Sequence, residues 1–147
     1  MHQDNESKIY RDAFTLILSD YVAAIPLILR ELGGVSLIKL MIVSFIVRRV
    51  RLESIMVYSG HNKKDILPKA LIQIGVSIDD IITEIPMISA AIDLLIRQEL
   101  VQLHDEVLIA KGKDVDTLEI SVFLRTLLRE CSALSDEFIL EEVLRSV

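Results

Sequence analysis

A chain of 147 residues is long enough for one domain, or for one domain with a helical extension. Its hydrophobic fraction is 52%, without Trp and with only 5% aromatics, so Ile, Leu and Val supply more apolar surface than one small domain hides, and part of it is expected against another chain. A net charge of −6 argues against a freestanding nucleic-acid binder of the usual basic kind, and the single cysteine, Cys131, excludes an internal disulfide and a cysteine-built zinc site.

After a polar lead, Ser7 can cap a helix from about Lys8 to Leu18, with Ile9, Ala13, Leu16, Ile17 and Tyr21 at helical spacing. Pro26 marks the first turn of a second helix, since proline is tolerated there and breaks a helix later. Gly33-Gly34 ends it. Ser36 then caps a helix from Leu37 to Arg49 whose apolar residues occupy almost the whole circumference. Such a helix is buried on all sides, as a central core element or with one side against a partner.

Arg51 to Asn62 reads as a loop, with a short extended piece around Ile55 to Tyr58. Asn62 can cap a helix from Lys63 to Ile74, in which Pro68 should kink or interrupt the interior, and Gly75 ends that element. Ser77 or Asp79 caps the next helix, which reaches Glu99, with Pro86 near its early turns and able to divide it. Past Glu99 the period changes from helical to alternating. Val101 and Leu103, a turn at His104-Asp105-Glu106, then Val107 and Ile109 read as a wing-like hairpin. After a loop at Lys111 to Asp114, helices are expected at about Val115 to Cys131 and Asp136 to Val147, the second capped by Ser135.

The fold class is therefore mostly α: a helical domain containing a winged-helix-like unit with one short β-hairpin. A single domain is expected over 1–147, divided into N-terminal helices (1–34), the winged-helix-like unit (35–112) and C-terminal helices (113–147). The apolar segments Tyr21 to Leu29 and Val35 to Val47 are each too short for a bilayer span of about 20 residues. The opening MHQDNESK is unlike a signal peptide. A cytoplasmic protein without membrane association is expected.

No catalytic constellation emerges, and no cofactor or metal is expected. His2, His61 and His104 are scattered, without an i, i+4 pair beside a carboxylate. Asp79, Asp80 and Glu84 could pass for paired carboxylates, but acids at a helix N-terminus are explained by the helix dipole. Cys131 reads as a small buried side chain. The charge distribution is more informative. Phe45 to Lys69 carries a net +4, whereas Asp105 to the end carries −5. Arg48, Arg49 and Arg51 close the core helix, where cations offset the dipole. Lys63 and Lys64 open a helix, where the dipole gives them no help. Together with Lys69 these six are the candidates for contact with nucleic acid or an acidic partner.

The order of SLIKLMIVSFIVRR, NKKDILPKALIQIG and IPMISAAIDLLIRQELVQLHDEVLIAKG resembles the small middle components of bacterial three-component ABC systems. These include the small subunit of Lamassu-type antiphage complexes, which pair an SMC-like ATPase with an effector, often a nuclease. The resemblance covers about half the chain, Leu37 to Lys111, as a pattern of elements without a diagnostic catalytic motif. It implies a non-enzymatic adaptor that binds the ATPase head and restrains the effector until foreign DNA is sensed. A winged-helix DNA-binding transcriptional regulator is the alternative. Against it, the helix from Asp80 to Glu99 offers only Arg97 and Gln98 beside four acids, where a recognition helix usually presents several Arg, Lys, Asn or Gln.

Overall fold

A computed structural model describes residues 2–52, 66–75, 77–111 and 121–145. They form six helices and a three-stranded antiparallel sheet: α1 (His2–Leu32), β1 (Val35–Ser36), α2 (Leu37–Leu52), α3 (Ile66–Ile74), α4 (Ile78–Arg97), β2 (Val101–His104), β3 (Val107–Ala110), α5 (Val122–Ala133) and α6 (Asp136–Arg145). The fold is mostly α with a short hairpin. The expected loop beyond Leu52, the extended piece at Ile55 to Tyr58 and the Asn62 cap lie outside the described residues, whereas the helix expected from about Val115 begins at Val122, because Ser121 is extended and caps it, its Oγ accepting from the Leu124 amide at 3.2 Å.

The two expected N-terminal helices are one. α1 runs through Pro26 without a break, although proline removes an N–H and costs a helix interior about 3 kcal/mol. Burial overrides that cost. Tyr21, Ala24, Ile25, Ile28 and Leu29 flank the proline and are all buried, and each large apolar side chain so placed contributes about 1.5–3 kcal/mol. Gly33 ends the helix with φ +75 and donates to the Leu29 carbonyl at 2.9 Å. Gly34 has a different reason to be glycine: a Cβ there would stand 2.6 Å from Val107 Cγ1 on the neighbouring strand.

α2 is the central helix and touches each of the other five. Its buried residues run from Lys39 and Leu40 through Phe45 and Ile46 to Val50, as expected of an apolar-all-round sequence. Ser36 caps it, its Oγ accepting from the Lys39 amide at 3.2 Å. Pro68 falls in the first turn of α3, where its missing N–H leaves nothing unpaired. The neighbouring Leu67 amide donates to Glu130 Oε2 on α5 at 2.8 Å. Pro86 does not divide α4. Ser77 and Asp80 form a capping box at its start, each side chain accepting from the other's amide.

α4 leads directly into the β2–β3 hairpin, in the order expected of a winged-helix-like unit. Val101 pairs with Ala110 and His104 with Val107. A third strand, absent from the sequence reading, completes the sheet: Val35 pairs with Leu108 and Ser36 with Val107, giving the order β1-β3-β2. Two residues between a diglycine and a helix cap are too few to show strand alternation.

Beyond its buried half, α1 extends as an arm. Residues 5 to 16 are all exposed, including the apolar Ile9, Tyr10, Phe14 and Leu16. Asn5–Leu32 is long and apolar enough by length and composition to cross a membrane, although its C-terminal part is core. The sequence by itself divides this stretch into two helices at Pro26, so only Tyr21 to Leu29 within it stands out as an apolar segment.

The hairpin turn carries backbone strain. Asp105 and Glu106 both have positive φ (48 and 66), as a two-residue type I′ turn requires. Such turns favour Asn-Gly, and a side chain in this region costs about 1–2 kcal/mol. Glu106→Gly is expected to stabilise the fold by about 1 kcal/mol, read as a higher urea midpoint with an unchanged slope.

Candidate functional site

The α4 stripe that faces the core reads Ile81, Glu84, Ile88, Ala91 and Leu95, so one acid stands among apolar residues. Glu84 is 5% exposed. An ionised carboxylate in such a place needs partners, and three side chains supply them. Tyr21 Oη donates to Glu84 Oε1 at 2.9 Å, Arg48 Nη1 donates to the same oxygen at 3.0 Å, and Arg49 Nη2 lies 3.5 Å from Oε2. Arg48 also bonds Asp20 through Nε at 3.3 Å. Its guanidinium stacks over the Tyr21 ring at 5.7 Å, and that of Arg49 over Phe45 at 5.3 Å. The cluster joins α1, α2 and α4.

This changes the reading of the basic group. Arg48 and Arg49 are committed to Glu84 and do not form an open cationic surface. Arg51, one turn past Arg48, is exposed in the last turn of α2. It lines a pocket of about 200 Å³ with Asp20, Ala24, Arg48 and Leu52. Lys69 is half-buried on α3. Lys63 and Lys64 lie outside the described residues. The dipole account holds for Asp79 and Asp80 in the first turn of α4, but Glu84 is an internal counter-ion. Its position on the apolar stripe, between Ile81 and Ile88, was the signal available in the sequence.

A second polar junction lies at the other end of α2. Lys39 is only 7% exposed and donates from Nζ to the Leu134 carbonyl at the end of α5. Ser36 Oγ donates to Asp136 Oδ2 in the first turn of α6. The α5–α6 turn is thereby tied to the start of α2. Cys131 is buried nearby, and burial, with the Glu130 charge adding, pushes its thiol from 9.0 up to about 12.

The outward face of α4 is acidic and apolar. Asp79, Ile82, Asp93 and Leu94 are exposed along it, and Arg97 is held by Asp93 at 3.1 Å. No group of His, Cys, Asp and Glu fit to hold a metal ion occurs among the described residues. Comparison with family models, with curated proteins and with solved structures found no match.

Removing the carboxylate in Glu84→Ala leaves two guanidinium groups without their shared counter-ion. A loss of about 3 kcal/mol is expected in urea unfolding, against about 1–2 kcal/mol for Tyr21→Phe, which deletes one donor. The pH dependence has a definite sign. Burial raises the Tyr21 hydroxyl above its usual 10.0, the Glu84 charge and hydrogen bond adding to it, and Cys131 is raised likewise. Both hold their protons more tightly folded than unfolded, so the stability they contribute is present below about pH 9 and lost as pH rises from there. Unfolding free energies measured between pH 7 and 11 should fall above pH 9, and Cys131→Ala should remove the earliest part of that fall.

Proposed function

We propose that this chain is a non-catalytic accessory subunit that binds an SMC-like ABC ATPase and couples it to a nuclease-type effector in antiphage or antiplasmid defence. It acts in the cytoplasm within a hetero-oligomer. The element order that resembles the small subunits of Lamassu-type complexes motivates this reading. The outward face of α4 is the observation that carries it. Where a DNA reader presents cations to phosphate, this face presents Asp79, Ile82 and Leu94, and the single cation of α4, Arg97, is already paired with Asp93. Such a surface suits a protein whose contact residues are apolar and basic. The internal pairing of Arg48 and Arg49 supports the same reading, because it withdraws two cations from any phosphate-binding surface.

Tagged chain purified from its native host is expected to capture an SMC-type ATPase. Ile82→Glu with Asp93→Lys, both at exposed positions, should reduce capture at least tenfold while leaving the circular dichroism unchanged. Failure to capture the ATPase would overturn the proposal. The DNA-binding alternative predicts a salt-dependent mobility shift of duplex DNA that weakens on Arg51→Glu.

A further inference from the structure

The sheet ends on one side in an unguarded strand. In the order β1-β3-β2, β2 has a neighbour on one side only. Its pairing with β3 fixes which backbone groups stay open. Asp105 and Glu106 make a two-residue turn, so His104 and Val107 are a hydrogen-bonded pair, and bonding alternates from there. The Lys111 amide, donating to the Leu100 carbonyl at 2.9 Å, keeps that phase. The N–H and C=O groups of Val101 and Leu103 therefore point away from β3, toward the open edge. Gln102, Leu103 and His104 are exposed, Leu103 by 57%. Edge strands are usually blunted by Lys, Pro or a bulge, and Val101–His104 carries none of these. The other edge, β1, is only two residues long. We infer that β2 takes up an extended segment of another protein as a fourth strand, one with a basic residue at each end and β-branched residues between.

Charge selects that occupant. Exposed acids bracket β2, with Glu99 before it and Asp105 and Glu106 after it. The nearby cations do not cancel them at the edge. Arg97 is held by Asp93 at 3.1 Å, and Lys111 continues β3, on the far side of β2 from its open edge. His104 lies 3.8 Å from Asp105, and Glu106 has no ion-pair partner among the described residues. At about 3.3 Å per residue, Glu99 and Asp105 stand about 20 Å apart. A segment of about seven residues with Lys or Arg at both ends sets a cation against each acid. Opposite charges facing across strands favour pairing and like charges oppose it, while Leu103 offers the apolar contact between them. The same rule disfavours a second copy of this chain. Two β2 strands joined antiparallel, Val101 facing Leu103, would set each Glu99 against Asp105 of the other copy.

Amide NMR of the isotopically labelled full chain, titrated with the peptide acetyl-Lys-Thr-Val-Thr-Val-Thr-Lys-amide at low salt, tests the inference. Saturable shifts confined to residues 99–106, and slower hydrogen exchange at Val101 and Leu103, are expected, with half-saturation below about 1 mM. Leu103→Pro removes only an outward N–H, a place where an edge strand tolerates proline. It should preserve the circular dichroism and weaken binding at least about tenfold. Peptides N-methylated on alternate amides probe the same bonds without altering the protein: one of the two patterns should abolish binding and the other should not. Glu99→Gln with Asp105→Asn should weaken binding about tenfold, as should replacing both terminal lysines of the peptide by glutamate. No saturable shift up to about 1 mM, shifts centred on α4, binding indifferent to both N-methyl patterns, or equal binding of the Glu-ended peptide would each overturn the inference. So would a dimer in sedimentation equilibrium that Leu103→Pro dissolves, because β2 would then be covered by its own copy.

Discussion

One carboxylate holds three helices in register. Glu84 sits in the apolar stripe of α4, accepts from Tyr21 on α1 and faces both guanidinium groups at the end of α2. A buried charge without partners is among the most costly features a fold can contain. Sliding any of the three helices by a turn would strand it, and such a constraint specifies an arrangement even where apolar packing tolerates several. The Ile-, Leu- and Val-rich core here, with few aromatics to set distinctive shapes, makes that specification useful. In energy alone an apolar replacement could match a buried ion pair.

The opposite end of α2 is fixed by a different device. Lys39 and Ser36 reach the α5–α6 turn through Leu134 and Asp136, and Glu130 on α5 receives the first turn of α3. The C-terminal helices are thereby anchored to the same central helix that Glu84 anchors to α1 and α4. Around this body the surface divides by chemistry. The outer face of α4 mixes acids with Ile82 and Leu94, and the arm of α1 continues the core stripe into the open. The two surfaces lie on different elements.

The sequence was most legible where local chemistry decides. Ser36 and Ser135 cap the helices expected of them, Ser77 rather than Asp79 caps α4, Gly33 and Gly75 end theirs, and the change of period after Glu99 marks the hairpin, while Ser7, expected as a cap, lies inside α1. It was least legible where burial overrules a local preference. Pro26 and Pro86 both sit inside continuous helices, because the apolar residues around them gain more from packing than the lost hydrogen bond costs. The candidate site followed the same division. Six basic residues formed a plausible cluster in one dimension, but Arg48 and Arg49 meet an acid 36 and 35 positions away, and no local pattern announces that encounter.

By itself the sequence determined the helical class, the central burial of α2, the caps and the hairpin, since these follow from periodicity and backbone chemistry over a few residues. Only the tertiary structure decided which charges face inward, that Val35 and Ser36 form a strand, and that α1 outruns the body it helps to build. Those outcomes depend on which surfaces meet. A side chain's protonation, pairing and exposure are set by neighbours distant in the chain, so Glu84 could be located on its stripe before folding, but its partners could not.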